Sequence, residues 1–215
     1  MKDLRTETEQ TVFIVEDDAS ICEGLANLLE AVGIRAEHFL SAEAFRSNWN
    51  PARSGCLLLD ARLPGISGVE FQEELQTAGI GIPIVFMTAH GDIPMVCKVM
   101  KAGAVEFLIK PFQKEELLRA VEQAFAADRV RRAEEAILRS IRERIHTLTD
   151  REREVMSMVI AGLLNKQIAA ELHISEVTVK LHRRHVMERM QAASLADLVR
   201  LCERVKLSAW HRPQP

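Results

Sequence analysis

Two hydrophobic periods alternate along the first 125 residues of the chain. Short apolar runs predict five β-strands, and the stretches between them carry apolar residues at helical spacing. Several runs are apolar without alternation, which is typical of parallel strands that helices cover on both faces. Repeated strand–helix units of this kind predict an open, doubly wound α/β sheet. The predicted strands are residues 11–15, 35–39, 56–59, 83–87 and 104–109, and the predicted helices are residues 19–32, 42–49, 67–77, 92–102 and 114–127.

A charged helix is predicted after residue 126, where the strand pattern stops. Ile137, Ile141 and Ile145 recur at every fourth position, so they share one face of that helix. This stripe is compatible with a dimer seam, with an interdomain spacer, or with a solvated linker helix that has one apolar edge. The segment spans only about two heptads, so its pattern does not choose among these alternatives.

Four short helices are predicted in the last third of the chain. Thr149 and Glu152 fit a capping box at the start of the first helix, and Asn165 and Ser175 are expected to cap the second and the third. The C-terminal region is therefore expected to be an all-α domain. Its predicted helices are residues 150–161, 166–172, 176–190 and 195–205.

The composition is that of an ordinary globular protein, with 215 residues, 47% of them hydrophobic and 27% charged. These values exclude collagen-like, disordered and low-complexity chains. No apolar run approaches the ~18 residues that a membrane span needs, so we expect no membrane partner. The four cysteines stand far apart without CxxC spacing, which argues against a disulfide framework or a zinc site and favours the reducing cytoplasm.

The net charge of −3 hides an asymmetry along the chain. Residues 1–125 carry 19 acidic and 11 basic side chains, whereas residues 145–215 carry 8 acidic and 11 basic ones. An acidic first region followed by a mildly basic one predicts two domains with different partners.

Chemically active side chains stand where the predicted strands end. Glu16 and Asp17 follow the first strand, Asp60 follows the third, Thr88 the fourth and Lys110 the fifth. Ligands of open α/β sheets bind at the carboxyl ends of the strands. A flavodoxin-like order of the five strands, 2-1-3-4-5, would bring these side chains into one pocket.

Three carboxylates in one pocket repel each other unless a cation neutralises them, and an all-oxygen site suits Mg²⁺. Asp60 could then attack phosphorus as a carboxylate nucleophile and form an aspartyl phosphate. Lys110 would pair with phosphoryl oxygens and Thr88 would donate a hydrogen bond to them. Asp18, which directly precedes a predicted helix, is better explained as its N-cap.

Four segments resemble the receiver domain of bacterial response regulators over about residues 10–127: FIVEDD, LLLDARLPGISG, FMTAHGD and EFLIKPF. The resemblance implies that a sensor histidine kinase phosphorylates Asp60. It also implies a Mg²⁺ ion held by Asp17, Asp60 and the backbone carbonyl of Arg62, with Glu16 acting on the metal through water. The family usually has Asp where this chain has Glu16.

The same resemblance implies a conformational switch. Thr88 would move its hydroxyl to the phosphoryl group, and the ring of Phe107 would turn inward. The peptide bond between Lys110 and Pro111 is expected to be cis, which proline makes tolerable.

The predicted helix 176–190 has a basic and apolar face. With ~100° per residue, Lys180, Leu181 and Arg184 fall opposite a stripe that contains Val179 and Val186. Such a face suits a DNA major groove, where Lys or Arg can reach guanine and aliphatic groups can contact thymine methyls. The alternative is an ordinary helical bundle whose charged side chains are only solvated.

Residues 145–207 resemble the LuxR-type helix-turn-helix, through the sequence LTDREREVMSMVIAGLLNKQIAAELHISEVTVKLHRRHVMERM. The resemblance implies that residues 176–190 form the recognition helix and residues 166–172 the supporting helix. Its base-contacting positions match Lys180, Leu181 and Arg184. The candidates for phosphate contacts, which position the protein without specifying sequence, are Asn165, Lys166, Thr178 and His185.

Together the two regions resemble response regulators of the FixJ/NarL type. That resemblance implies a receiver domain at residues 10–127, a helical linker at 128–146 and a DNA-binding domain at 147–207. It further implies that the chain is not an enzyme acting on another substrate, although the receiver would catalyse its own phosphoryl transfer. The implied partners are a sensor histidine kinase, promoter DNA, RNA polymerase and a second copy of the chain after phosphorylation, with activation of transcription as the outcome.

Three other interpretations of the first region remain. It could serve a DNA-binding protein as a dimerisation or ligand-sensing module without phosphorylation, or it could be a metal-dependent phosphatase or a flavin-binding domain. A phosphatase with an Asp nucleophile typically has a second Asp two residues later, where this chain has Arg62. A flavin phosphate would be repelled by the acidic residues 16–18.

Overall fold

The computed structural model describes residues 10–89 and 93–207, which form two compact units divided after Arg132. The first unit contains a five-stranded parallel sheet with the order β2-β1-β3-β4-β5, as predicted. Its strands are β1 (Thr11–Val15), β2 (Arg35–Phe39), β3 (Gly55–Asp60), β4 (Ile84–Thr88) and β5 (Glu106–Ile109). Its helices are α1 (Ala19–Glu30), α2 (Ala42–Asn48), α3 (Gly68–Thr77), α4 (Ile93–Lys101) and the first part of α5 (Lys114–His146).

The three inner strands are buried along their whole length because helices cover both faces of the sheet. Successive side chains of a strand point to opposite faces. Phe13 and Leu57 therefore join Phe45 of α2 in one hydrophobic cluster. The residues next to them, Val12 and Cys56, lie in a second cluster on the other face.

The element boundaries deviate from the predicted ones where local turns intervene. Helix α1 ends at Glu30, two residues early, since Gly33 takes a positive φ of 79° and the Ile34 N–H turns back to the Leu29 carbonyl. Strand β5 begins at Glu106 because the Ala104 N–H still bonds to the carbonyl of Val99 in α4. The predicted start of α4 at Asp92 lies outside the described residues.

Asp128 of α5 is fully buried and attaches that helix to the loop before β3. Its Oδ2 accepts hydrogen bonds from the hydroxyl of Ser54 at 2.7 Å and from the N–H of Gly55 at 2.9 Å. Two guanidinium groups also contact the carboxylate, those of Arg131 at 2.6 Å and Arg132 at 2.9 Å. These contacts lower the pKa of Asp128 although its burial acts to raise it.

Helix α5 continues without interruption to His146, and its residues from Ala133 onward belong to the second unit. In that unit Ile141 is fully buried against Val155 and Met156, and Ile145 packs beside them. Only Ile137 of the predicted stripe is exposed. The stripe therefore serves mainly the core of the second unit, and Ile141 has no surface left for a dimer seam.

Four short helices complete the second unit, α6 (Asp150–Ile160), α7 (Asn165–Leu172), α8 (Glu176–Met190) and α9 (Leu195–Arg204). The capping box of Thr149 and the cap by Ser175 are both present. The predicted cap by Asn165 is wrong, because Leu164 occupies that position and its N–H donates to Oε1 of Gln167 at 2.7 Å. Among the described residues, no helix combines the length and the apolarity needed to cross a bilayer.

Candidate functional site

Two carboxylates and one ammonium group meet at the carboxyl ends of the strands. Glu16 follows β1, Asp60 ends β3 and Lys110 follows β5. The Nζ atom of Lys110 lies 2.5 Å from Glu16 Oε2 and 2.5 Å from Asp60 Oδ2. Both carboxylates are buried, so this single cation faces two anionic groups that are shielded from water.

The pocket consequently carries a surplus of negative charge. Burial raises the pKa of Glu16 to about 7, and the nearby Asp60 carboxylate adds to the rise while Lys110 opposes it. Burial acts to lower the pKa of Lys110, but its hydrogen bonds to Asp60 and Glu16 outweigh this effect and raise that pKa. Lys110 is therefore held in its charged form, and the site can accept a further cation.

An oxygen cluster that could hold such a cation is formed by Glu16, Asp17 and Asp60. Their carboxylate oxygens lie within 4.8 Å of one another, and Asp17 is exposed to solvent. An all-oxygen set of few protein ligands fits Mg²⁺, which keeps several water molecules. Asp18 is not part of the cluster, since its Oδ1 caps α1 by accepting the N–H groups of Ser20 and Ile21.

The backbone fixes the orientation of the Asp60 side chain. The N–H of Arg62 donates to Asp60 Oδ1 at 2.7 Å, while Oδ2 faces Lys110. Gly68, which begins α3, also packs against this strand end, because a Cβ atom there would stand 2.2 Å from the Asp60 carbonyl oxygen. Sequence reasoning missed Gly68, since no local pattern reports an approach to a strand eight residues earlier.

Thr88 lies at the end of β4, the neighbour of β3, and Phe107 lies on β5, the edge strand beyond β4. Thr88 is buried at the end of β4, and its carbonyl accepts the Lys110 N–H at 2.7 Å. Phe107 of β5 is half-buried and stands in register with Phe86 of β4. The peptide bond between Lys110 and Pro111 is cis, as the sequence predicts.

Helix α8 has one buried and one exposed face. Val179 and Val186 lie in the core of the second unit, whereas Lys180, Leu181 and Arg184 are exposed together on another face. This is the arrangement that the helical wheel predicts. Val177 joins the exposed face with 75% of its surface accessible, so the face is apolar as well as basic.

The candidate phosphate-contacting residues differ in their surroundings. Lys166 is exposed on α7, and Thr178 is half-buried with its hydroxyl 2.9 Å from that of Ser175. Asn165 Oδ1 accepts a hydrogen bond from Arg183 of α8 at 3.0 Å, which links the two helices. His185 places Nδ1 3.3 Å from a carboxylate oxygen of Glu152.

Glu152 contributes more than the capping box that the sequence predicts. It is buried, and besides accepting the Thr149 N–H at 2.9 Å it lies 3.1 Å from the guanidinium of Arg189. Burial acts to raise the pKa of Glu152, but the hydrogen bonds of Thr149 and the charges of Arg189 and His185 lower it. A charged Glu152 thus attaches α8 to the first turn of α6.

Two family models match the chain, one for each unit. The response regulator receiver domain matches residues 12–122, and the luxR family of bacterial regulatory proteins matches residues 146–202. The first model spans the strand ends that carry Glu16, Asp60 and Lys110. The second spans α8 with its exposed basic face.

Similar proteins share this pair of domains over nearly the whole chain. Nodulation protein W of Bradyrhizobium diazoefficiens is 48% identical over 207 residues, which are 96% of this chain and 91% of that protein. The transcriptional regulatory protein FixJ of Rhizobium meliloti (strain 1021) is 43% identical and covers 90% of this chain and 95% of its own. The structure of the response regulator StyR has a TM-score of 0.76 and 49% identity, covering 91% of this chain and 98% of its own. The chain therefore belongs to the two-component response regulators that join a receiver domain to a LuxR-type DNA-binding domain, and it is a transcriptional regulator.

Proposed function

We propose that phosphorylation of Asp60 by a sensor histidine kinase switches this regulator to a form that binds promoter DNA. The observation that carries the proposal is the placement of Asp60 between the Arg62 N–H and the Lys110 ammonium, beside Glu16 and Asp17. An oxygen of Asp60 would attack the phosphorus of a phosphohistidine. The new O–P bond forms as the P–N bond breaks, and the imidazole leaves with the electron pair and takes up a proton.

The residues present fit Mg²⁺ as the cofactor of this transfer. Asp17, Asp60 and the backbone carbonyl of Arg62 would hold the ion, with Glu16 acting through water, and the bound ion neutralises charge that develops on the phosphoryl group. Lys110 would exchange its contact with Asp60 for one with a phosphoryl oxygen. The same groups would let the receiver accept phosphate from a small donor and hydrolyse its own phosphoryl group.

The switch would consist of Thr88 and Phe107. The Thr88 hydroxyl would donate to the phosphoryl group, and the half-buried Phe107 ring would turn further inward beside it. Because the phosphoryl group contacts the active arrangement better, it shifts the population toward that arrangement.

The DNA-binding part of the proposal assigns base contacts to Lys180, Leu181 and Arg184. We propose a receiver at residues 10–127, a helical linker at 128–146 and a DNA-binding domain at 147–207, with phosphorylation favouring a homodimer. A dimer would place two recognition helices on paired half-sites. The contacts to DNA phosphates would come from Asn165, Lys166, Thr178 and His185. Once bound, the regulator would act with RNA polymerase in the cytoplasm as an activator.

Intact mass and DNA affinity, measured on the same samples, test this proposal. The full chain is incubated with acetyl phosphate, with and without Mg²⁺, and then titrated onto duplexes that it selects from a random-sequence pool. We expect a Mg²⁺-dependent gain of one phosphoryl group and tighter DNA binding by the modified sample. A gain in mass with unchanged DNA affinity would favour the alternative in which DNA binding is independent of phosphorylation.

Replacing either cation of the exposed α8 face tests the assignment of base contacts. Lys180→Ala and Arg184→Ala should each weaken binding to the selected duplex by ~1–3 kcal/mol, because one base contact is lost. Arg200→Ala is the matched control, since this arginine is equally exposed on α9. Fluorescence anisotropy with labelled duplexes measures the affinities, and wild-type affinity in both α8 variants would show that another face reads the DNA.

A further inference from the structure

The arginines of α8 differ in the partners that hold them. Arg183 donates to Asn165, and Arg189 donates to the Thr147 carbonyl at 2.6 Å and contacts the buried Glu152. These partners belong to other parts of the same unit, so the two side chains help to hold the unit together. Arg184 instead has a partner on its own helix, one turn further along.

That partner is Glu188, whose Oε1 accepts a hydrogen bond from Arg184 Nε at 2.8 Å. Residues four apart share one side of a helix, which explains the contact. Both side chains are largely exposed, at 76% for Arg184 and 56% for Glu188. The side chain of Lys180, one turn before Arg184, makes no hydrogen bond or ion pair with any residue in the described ranges. The two cations of the proposed reading face therefore differ, since one is paired with a carboxylate and the other is not.

An exposed ion pair is weak, so a DNA group of suitable shape can compete with it. The hydrogen bond engages Nε and leaves the terminal nitrogens Nη1 and Nη2 of Arg184 without a partner among the described residues. Two parallel N–H groups of arginine match the O6 and N7 acceptors of guanine. A backbone phosphate can also accept two N–H groups of arginine, but its negative charge has to approach that of Glu188, and this repulsion disfavours it.

We propose that Glu188 is a specificity-determining residue of DNA recognition, which orients Arg184 for guanine and keeps it from pairing with phosphates. The inference rests on the proposed function, in which α8 enters the major groove. Its consequence is that Glu188 weakens binding to random DNA more than binding to the recognised sequence. The carboxylate thus lowers total affinity and raises discrimination.

Two substitutions separate the charge of Glu188 from its hydrogen bond. Glu188→Gln removes the charge and keeps an oxygen that can accept from Nε, whereas Glu188→Ala removes both. Glu154→Gln is the matched control, because Glu154 is an exposed carboxylate of α6 that also pairs with an arginine of its own helix, Arg151. Each full-length protein, treated with acetyl phosphate and Mg²⁺, is titrated at several salt concentrations onto the selected duplex and onto a scrambled duplex of equal composition.

We expect both Glu188 variants to bind the scrambled duplex more tightly and with a steeper salt dependence. The slope of log K against log salt should increase in magnitude by about 0.9, which corresponds to one additional phosphate contact. The affinity ratio of selected to scrambled duplex should fall by about fivefold or more in Glu188→Ala, the lower end of what one arginine–guanine contact contributes. In Glu188→Gln the affinity ratio should fall less than in Glu188→Ala, since the amide oxygen still positions Arg184.

The inference would be overturned if both Glu188 variants had the same selected-to-scrambled affinity ratio and the same salt-dependence slope as Glu154→Gln. That result would leave the proposed function intact as long as the wild-type chain prefers its selected duplex. If the wild-type chain shows no preference, the proposed DNA-reading function itself fails, and the inference fails with it. The two failures are therefore distinguishable in one set of titrations.

Discussion

The Asp60→Asn variant is expected to gain no phosphoryl group when it is incubated with acetyl phosphate and Mg²⁺, whereas the wild-type chain gains one. An amide has no anionic oxygen with which to attack phosphorus, so the nucleophile is lost. Intact-mass spectrometry measures the result directly. The same samples should show that acetyl phosphate no longer changes the DNA affinity of the variant.

The fold should tolerate this substitution. Asn has nearly the shape of Asp, and its side-chain oxygen can still accept the N–H of Arg62 that Asp60 Oδ1 accepts now. Removing one of two buried carboxylates leaves Glu16 paired with Lys110, one charge of each sign. Circular dichroism and the midpoint of urea unfolding should therefore remain close to those of the wild-type chain, so a missing mass gain reflects chemistry and not unfolding.

Asp18→Asn provides the matched control at the same edge of the sheet, in the loop between β1 and α1. Asp18 caps α1, and Asn is an equally good N-cap, so the start of α1 should keep its structure. This variant should gain one phosphoryl group as the wild-type chain does. An undiminished gain in Asp60→Asn would place the acceptor elsewhere and refute the proposed chemistry.

The fold and the strand-end residues were predictable because their signals are local. The apolar run of residues 11–15 forms β1 at the predicted positions, and Gly55–Asp60 extends the predicted third strand by one residue at each end. In a parallel sheet the carboxyl ends of all strands lie at the same edge. The positions of Asp60 and Lys110 after their strands therefore predicted their proximity without any knowledge of side-chain contacts.

Contacts between distant segments were not predictable from the same patterns. Asp128 stands in a charged helix and resembles a solvated acid in the sequence, yet it is buried against Ser54 and Gly55, more than 70 residues earlier. The spacing of Ile141 predicted a stripe but not the core that covers it. Asn165 is a favourable cap by residue type, but the side chain of Gln167 caps the helix one residue earlier, and local preference alone does not distinguish the two arrangements.

The second large effect is a loss of stability, which we expect when Asp128 is replaced. Asp128→Ala should lower the free energy of unfolding of the first unit by about 3–5 kcal/mol at neutral pH, because it leaves two half-buried guanidinium groups and the buried N–H of Gly55 without their carboxylate. Asp128→Asn should cost less, since its oxygen can still accept from Ser54 or Gly55. Glu74→Gln is the matched control: Glu74 pairs with Arg46 at 3.2 Å in the same unit, but both side chains are exposed, so the cost should be about 0–1 kcal/mol.

Unfolding of this unit can be followed through Trp49, which packs against Phe13 and Phe45. The chain contains two tryptophans and no tyrosine, so a Trp210→Phe background leaves Trp49 as the one strong fluorophore. Urea titrations in that background give the free energy of unfolding for each variant. Equal stability of Asp128→Ala and Glu74→Gln would show that the buried carboxylate does not hold α5 to the sheet.

The pH dependence of the free energy of unfolding gives an independent check on the role of the Asp128 carboxylate. Folding lowers the pKa of Asp128 from its ordinary value of 3.8, so its ionised form stabilises the folded state above that pH. This contribution is lost as pH falls through the lower pKa of the folded state, when both states become protonated. Asp128→Asn does not titrate, so the stability difference between wild type and this variant should be constant from about pH 7 to 5 and should narrow below about pH 4. A difference that stays constant down to pH 3 would mean that Asp128 stabilises the unit through hydrogen bonds that do not require its charge.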